Sequence, residues 1–155
     1  MEQVKIIEYS DELADDFARL NKAWLQKYFV IEPIDHEMLS DPKRYFIQRN
    51  GFLFFAKTGN IIAGTFALLR ESDDIYELSK MAVDEGFQGK KIGNLMLEFA
   101  IEKAKKLGAK KLILYSNTKL KPAIHLYRKF GFTEIPLDHS DYERADIKME
   151  INLQS

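Results

Sequence analysis

Between an apolar run, Leu78 to Val83, and a strongly amphipathic one stands a short polar loop, Gln88-Gly89-Lys90-Lys91-Ile92-Gly93. These residue types in this order suit an anion. The first amides of a helix have no acceptor inside it, and the aligned peptide dipoles leave about half a positive charge there, so backbone alone can hold a phosphate. Gly89 and Gly93 let a ligand approach the chain closely, and Lys90 and Lys91 add fixed positive charge. The competing phosphate motifs, Gly-x-x-x-x-Gly-Lys-Ser/Thr and Gly-x-Gly-x-x-Gly after a strand, are absent. Read in isolation, the loop also fits an ordinary helix start.

Other chemistries drop out on composition. The chain has no cysteine, which excludes disulfides, thiolate nucleophiles and cysteine-ligated zinc. His36, His125 and His139 are scattered, and His36-Glu37-Met38-Leu39-Ser40 lacks the second histidine of a zinc helix, so no metal is expected. No Gly-x-Ser-x-Gly elbow is present. The formal charge of −1, from 23 basic and 24 acidic residues, argues against a general nucleic-acid binder, whose affinity rests on phosphate neutralisation. With 155 residues, 46% of them hydrophobic, the chain reads as one soluble domain over residues 1–155 with a single good core. The longest apolar run, Ile61 to Leu69, is far short of a bilayer span, and Met1-Glu2-Gln3 starts no signal peptide, so no membrane partner and a cytoplasmic location are expected.

The elements that must position the loop follow from periodicity. Val4 to Tyr9 reads as a strand, and Ser10 or Asp11 caps a helix carrying Leu13, Phe17, Leu20, Trp24 and Leu25 to about Lys27. Asp35 to Leu39 is a short helical turn ended by Asp41-Pro42, within an irregular, aromatic and charged region, Tyr28 to Arg49, of the kind that shapes a substrate mouth. Gly51 to Lys57 and Ile61 to Arg70 are strands joined by a Thr58-Gly59-Asn60 hairpin turn. Ile75 to Val83 is a third strand, and strict alternation puts Ile75, Glu77, Ser79, Met81 and Val83 on one face. A helix from about Lys91 to Leu107, stopped by Gly108, leads to a buried strand, Lys111 to Tyr115, which implies a right-handed parallel crossover. A last helix, about Lys119 to Phe130, precedes two strands, Phe132 to Leu137 and Ala145 to Leu153, around a polar loop, Asp138 to Arg144. The order β α α β β β α β α β β is that of a single-domain α/β fold with a mixed sheet, and the loop lies at the C-terminal end of a strand, where such sheets place ligands.

That order, with FQGKKIGNLML after the third hairpin strand and NTKLKPAIHLYRKFGF after the parallel strand, resembles the GNAT superfamily of N-acetyltransferases over nearly the whole chain. In that family a Gln or Arg, two variable residues, Gly, one variable residue and Gly or Ala cradle the pyrophosphate of coenzyme A. Gln88 and Gly93 match the ends, and Lys91 stands at the middle glycine. A side chain fits there if the residue keeps ordinary helical dihedrals, its ammonium then pairing with a phosphate. The resemblance thus implies acetyl-CoA as co-substrate, no metal, and a binding loop of Gln88, Gly89, Lys90, Lys91, Ile92, Gly93 and Asn94. It maps Met81, Ala82 and Val83 onto a splayed strand whose backbone pairs with the pantetheine arm, matches Asn117 at the end of the next strand, and puts Tyr127 where many relatives keep their general acid. TKLKPAIHLYRKFGF with SDYERADIKMEI is similar, more narrowly, to the acetyltransferase half of proteins that join a MarR-type regulator to this domain. No winged-helix segment stands in this sequence, so DNA regulation is not expected to carry over.

The activity implied is acyl-CoA-dependent N-acyl transfer, with acetyl passing to a primary amine of a small molecule or peptide by direct attack in a ternary complex. Tyr127 would protonate the departing thiolate, and Glu77, directly or through a water, would accept the amine proton if burial raises its pKa. Both residues also fit plainer roles, Tyr127 as a core tyrosine and Glu77 as a salt-bridged or solvated sheet residue. The lysines from Lys103 to Lys121, with Arg128 and Lys129, fit a solvated face, or in part a site for the 3′-phosphate of coenzyme A. A non-catalytic acyl-CoA sensor is the rival function, since fold does not fix activity. The resemblance also allows a homodimer through the sheet edge or the helices.

Overall fold

A computed structural model describes residues 3–153. Seven strands form one sheet in the order β1-β2-β3-β4-β5-β7-β6. They are β1 (Val4–Glu8), β2 (Phe52–Thr58), β3 (Ile61–Arg70), β4 (Ile75–Val83), β5 (Lys111–Ser116), β6 (Thr133–Ile135) and β7 (Ile147–Asn152). Every neighbouring pair is antiparallel except β4 and β5. The helices are α1 (Ala14–Tyr28), α2 (Pro33–Ser40), α3 (Pro42–Tyr45), α4 (Ile92–Lys106) and α5 (Lys121–Lys129). The predicted order of elements is therefore found. The single turn of α3 is an addition, which forms because Pro42 fits a first helical position and the Asp41 side chain accepts from the Arg44 amide.

The sheet is buried on both faces, and the adjacent phenylalanines of β2 show how. The pleat sends Phe54 and Ala56 to the face covered by α4 and α5, and Leu53 and Phe55 to the face covered by α1 and α2. Phe54, Phe66, Leu97 and Met96 centre the first core; Phe17, Leu25, Phe46 and Phe55 centre the second. Strands buried on both sides read as nearly continuous apolar runs, which is why β2 and β3 carry so little polarity.

Two boundaries move for reasons of proline chemistry. Helix α5 begins at Lys121, not near Lys119, because Pro122 fits only in a first turn. Strand β6 ends at Ile135, since Pro136 has no N–H for the ladder.

In β4 the simple alternation fails. Ser79 pairs with Ala67 and Ala82 with Thr65, so Lys80 and Met81 together face the single residue Phe66. Lys80 makes this bulge by adopting a left-handed conformation, φ 53. Beyond it the faces exchange. Glu77, Ser79 and Ala82 lie toward α1 and α2, whereas Tyr76, Leu78, Met81 and Val83 lie toward α4 and α5. Glu77 and Met81 thus do not share a face as alternation predicts.

A substitution at Gly51 tests how tightly β2 is anchored. A Cβ there would lie 2.8 Å from the Leu68 carbonyl oxygen and 2.9 Å from that of Phe46, both backbone atoms with no rotamer to yield. Gly51→Ala is expected to cost about 1–3 kcal/mol, the usual range for overpacking, read as a lower midpoint in urea unfolding with an unchanged slope.

Candidate active site

The parallel ladder between β4 and β5 runs from Ile75 opposite Lys111 to Leu78 opposite Leu114 and stops. From Ser79 onward β4 stays paired with β3, out to Val83 opposite Gly64, while its other edge no longer meets β5. Beside Tyr115 and Ser116 this leaves a wedge-shaped gap in the sheet. A cavity of about 560 Å³ occupies it, within the range of small-molecule sites. Its walls include Met81, Ala82 and Val83 of the free strand edge, Gln88, Gly89 and Lys91 to Asn94 of the loop, Asn117, and both Glu77 and Tyr127. Because the gap passes through the sheet, Glu77 reaches it from the α1 side and Tyr127 from the α5 side. Among the predicted residues Lys90 alone does not line the cavity; its ammonium sits 5.8 Å from the centre of the Phe87 ring.

The loop before α4 is built largely of backbone. The first bond of α4 runs from the Leu95 amide to the Lys91 carbonyl at 3.1 Å, and no described acceptor takes the amides of Lys90 to Asn94. Two residues turn the chain into this start through left-handed conformations, Gly89 at φ 79 and Lys91 at φ 63, ψ 21. Lys91 therefore lacks the ordinary helical dihedrals expected of it. It stands as the helix N-cap in a conformation that favours glycine.

Glu77 is 6% exposed, and burial is the main reason that its pKa rises to about 8. The Glu71 carboxyl hydrogen-bonded to it and the negative potential of Asp141 add to the rise, while Lys80 opposes it. Its carboxyl is thus a proton acceptor mainly above about pH 8. Burial alone lifts Tyr127 to about 12, so its phenol keeps its proton throughout the physiological range. The Tyr127 ring meets Phe132 edge to face at 5.9 Å, and its hydroxyl has no partner among the described residues. Asn117 is occupied structurally. Its Nδ2 donates to the Arg144 carbonyl at 2.7 Å and its Oδ1 accepts from the Lys119 amide at 2.9 Å, so it ties the end of β5 to the loop before β7.

A buried charge cluster adjoins the cavity through Lys80, Tyr142 and Arg144, and little in the local sequence announces it. Lys80 pairs with Asp35; Arg144 donates from Nη1 to Glu32 at 2.9 Å and to Asp35 at 2.7 Å, and from Nη2 to Asp35 at 2.9 Å. The Glu32 carboxylate also accepts from the amides of Glu143 and Arg144. Burial pushes the Asp35 pKa up, but the hydrogen bonds from Arg144 and Lys80 outweigh it and hold the carboxyl below its ordinary value. Tyr142 packs between the two cations, 5.0 Å from Lys80 and 4.7 Å from Arg144, and its hydroxyl meets Ser79 at 3.2 Å. Glu32, Asp35, Tyr142 and Arg144 come from the regions expected to shape the substrate mouth, but the pairing of Arg144 with the two acids spans more than a hundred positions. The one local sign was Lys80 itself, a charge inside an apolar strand. Among the described residues no group of three or more His, Cys, Asp or Glu side chains could hold a metal, and no helix is long and apolar enough to cross a membrane.

Comparison with known proteins places this geometry. The profile described as Acetyltransferase (GNAT) family matches residues 14–132. An uncharacterized N-acetyltransferase of Bacillus subtilis, YvbK, is 32% identical over 116 residues, which span 73% of this chain and 75% of that protein. The fold superposes with a TM-score of 0.87 on an acetyltransferase of the GNAT family from Staphylococcus aureus, 23% identical, covering 98% of this chain and 100% of the other. A Bacillus subtilis acetyltransferase in complex with CoA gives a TM-score of 0.72 at 23% identity, covering 99% of this chain and 100% of that one.

Two substitutions test the site's physics independently of activity. The folded state holds a proton on Glu77 that the unfolded chain releases near pH 4.5, so wild type loses stability as pH rises from about 4.5 to 8. Glu77→Gln should remove that slope and gain on the order of 1–3 kcal/mol over wild type between pH 5 and pH 8, measured by urea unfolding at both values. Lys91→Gly should relieve the left-handed strain and raise stability by about 1 kcal/mol, seen as a higher urea midpoint.

Proposed function

The chain belongs to the acetyltransferase (GNAT) family, and from that premise we propose that it moves acetyl from acetyl-CoA to a primary amine by direct attack in a ternary complex. One observation carries the reading: a single cavity in the gap between β4 and β5 brings together the free edge of β4, the unpaired amides at the start of α4, Glu77 and Tyr127. A CoA-bound relative of the same fold supports the choice of co-substrate. When bound, acetyl-CoA supplies an already activated acyl group as a thioester.

The chain's own residues then have limited work. The backbone of Met81, Ala82 and Val83 pairs with the pantetheine amides and orients the thioester, and N–H groups of this edge polarise its carbonyl. The amides from Lys90 to Asn94 hold the pyrophosphate, with the Lys91 ammonium beside it. Glu77, as carboxylate, takes a proton from the incoming ammonium. Its pKa of about 8 lies below that of an alkyl ammonium, about 10 for a lysine side chain, so the transfer is mildly uphill and accessible near neutral pH. Tyr127 faces a thiolate whose conjugate acid is far stronger than a phenol of pKa about 12. Its main contribution is accordingly a hydrogen bond to the sulfur as charge develops, with the proton following as the product thiol forms.

The roles separate kinetically. Tyr127→Phe should lower kcat about 10- to 100-fold with little change in the KM for acetyl-CoA. For wild type, kcat/KM for the amine should rise through an apparent pKa near 8, and Glu77→Gln should abolish that limb. The measurement is thiol release from acetyl-CoA across a broad panel of amines and peptides between pH 6 and pH 10. Coenzyme A binding without turnover of any acceptor would favour a non-catalytic acyl-CoA sensor instead.

A further inference from the structure

The cavity's acceptor end has an unusual charge layout. Lys80 is turned inward by its own left-handed conformation, and its side chain is only 4% exposed. Arg144 approaches from the loop before β7. Both cations line the cavity, whereas Asp35 and Glu32, the acids that pair with them, lie behind and do not. Glu77 is the one carboxyl among the lining residues. Of the four charged residues of the cluster, the two basic ones line the cavity and the two acids do not, although the cluster is neutral as a whole.

The donors on that wall are not used up. An ammonium has three N–H groups and a guanidinium five. Lys80 spends one on Asp35, and Arg144 makes three contacts with Glu32 and Asp35. No other described acceptor takes the rest. The two acids, by contrast, are well supplied: Asp35 accepts four hydrogen bonds, one of them from the Glu32 amide at 2.8 Å, and Glu32 accepts three, one of them from the Glu143 amide at 2.8 Å. The rings of Tyr142 and Phe29 lie beside the guanidinium, with centres 4.7 Å and 6.0 Å from Cζ. A guanidinium and an ammonium with N–H groups to spare suit a carboxylate.

Glu77 lies three residues before Lys80, on the strand face that looks toward α1. An amine placed at Glu77 thus has a cationic pair within reach of a neighbouring group on the same small molecule. We propose that the acceptor is an aminocarboxylate, an amino acid or a similar compound, whose amine meets Glu77 and whose carboxylate meets Lys80 and Arg144. The inference rests on the acetyl-transfer reading for what happens to the amine, but the carboxylate site stands on the charge layout alone. A merely structural cluster would need its cations no less, but would make no distinction between acceptors with and without a carboxylate.

Matched pairs supply the test: leucine against isopentylamine and phenylalanine against phenethylamine, each assayed with the full chain and acetyl-CoA. The proposal expects kcat/KM at least tenfold higher for the members that keep the α-carboxylate, the size of one charge-assisted hydrogen bond. Arg144→Lys, which keeps the charge that neutralises Asp35, should raise KM for these members about tenfold more than for the plain amines. Equal or better turnover of the plain amines overturns the proposal and leaves acetyl transfer intact; so does a rise in KM that is the same for both members. Calorimetric binding to the CoA-loaded protein separates the remaining cases. If nothing is acetylated but the carboxylate members bind selectively, the carboxylate site stands and acetyl transfer falls. If neither member binds, the carboxylate site falls.

Discussion

The site depends on the place where β4 stops pairing with β5. A parallel ladder that ran to the end of both strands would close the sheet and leave no cavity, and every wall described above would be core. The bulge at Lys80 lies two residues past the last pair, Leu78 opposite Leu114. It adds a residue to β4 against β3, which bends the strand and increases its local twist. A left-handed conformation at a non-glycine residue costs about 1–2 kcal/mol, and here it is held by what it achieves: the ammonium reaches Asp35, and Met81 and Val83 turn to the α4 face while Ala82 packs toward α1. A strained residue at a gap in a sheet is thus the joint from which both halves of the cavity hang.

Along the same strand, two buried ionisable groups three residues apart are both pushed toward their neutral forms, by pKa shifts of opposite direction. Glu77 has carboxyl neighbours and little else, so burial wins and its neutral form is favoured at neutral pH. Burial lowers the pKa of Lys80 as well, against the pull of Asp35, yet the pair with Asp35 and the hydrogen bonds of Arg144 keep that acid below its ordinary value. Buried ion pairs often contribute little net stability relative to apolar replacements, because desolvation offsets the Coulomb gain. The value of the Glu32, Asp35, Lys80 and Arg144 cluster is better placed in geometry. It joins α2 to β4 and to the loop before β7, three segments distant in sequence, and so sets the shape of the cavity's closed end.

Most of the fold was legible because it follows from short-range rules. Period-2 and period-3.6 patterns, the Gly59-Asn60 turn, Pro122 and Gly108 locate nearly every element, and the strand-helix-strand spacing implies the parallel pair. The cavity's backbone half was legible for the same reason, since an anion loop between a strand and a helix is a local arrangement. Two things were not. The bulge at Lys80 breaks alternation without a glycine to announce it, so Glu77 and Met81 were put on one face. The charge cluster depends on which residues of the Tyr28 to Arg49 and Asp138 to Arg144 segments meet in three dimensions, and no local pattern carries that. Lys91 failed differently: the residue type argues against a left-handed conformation, and the requirements of the loop override it.

The division between backbone and side chain also explains what comparison can and cannot transmit. A TM-score of 0.87 at 23% identity requires that the fold be specified by pattern more than by particular residues. A site made of strand edge and helix amides is preserved under the same relaxed condition, because any sequence that keeps the gap and the helix start keeps its donors. The acceptor end has no such protection. Its character comes from side chains on three segments, and exchanging one cation of the cluster would change the charge beside the cavity and leave a buried acid short of a partner. Family membership therefore speaks to acetyl transfer, and the proposed acceptor rests on this chain's own Lys80, Arg144 and Glu77.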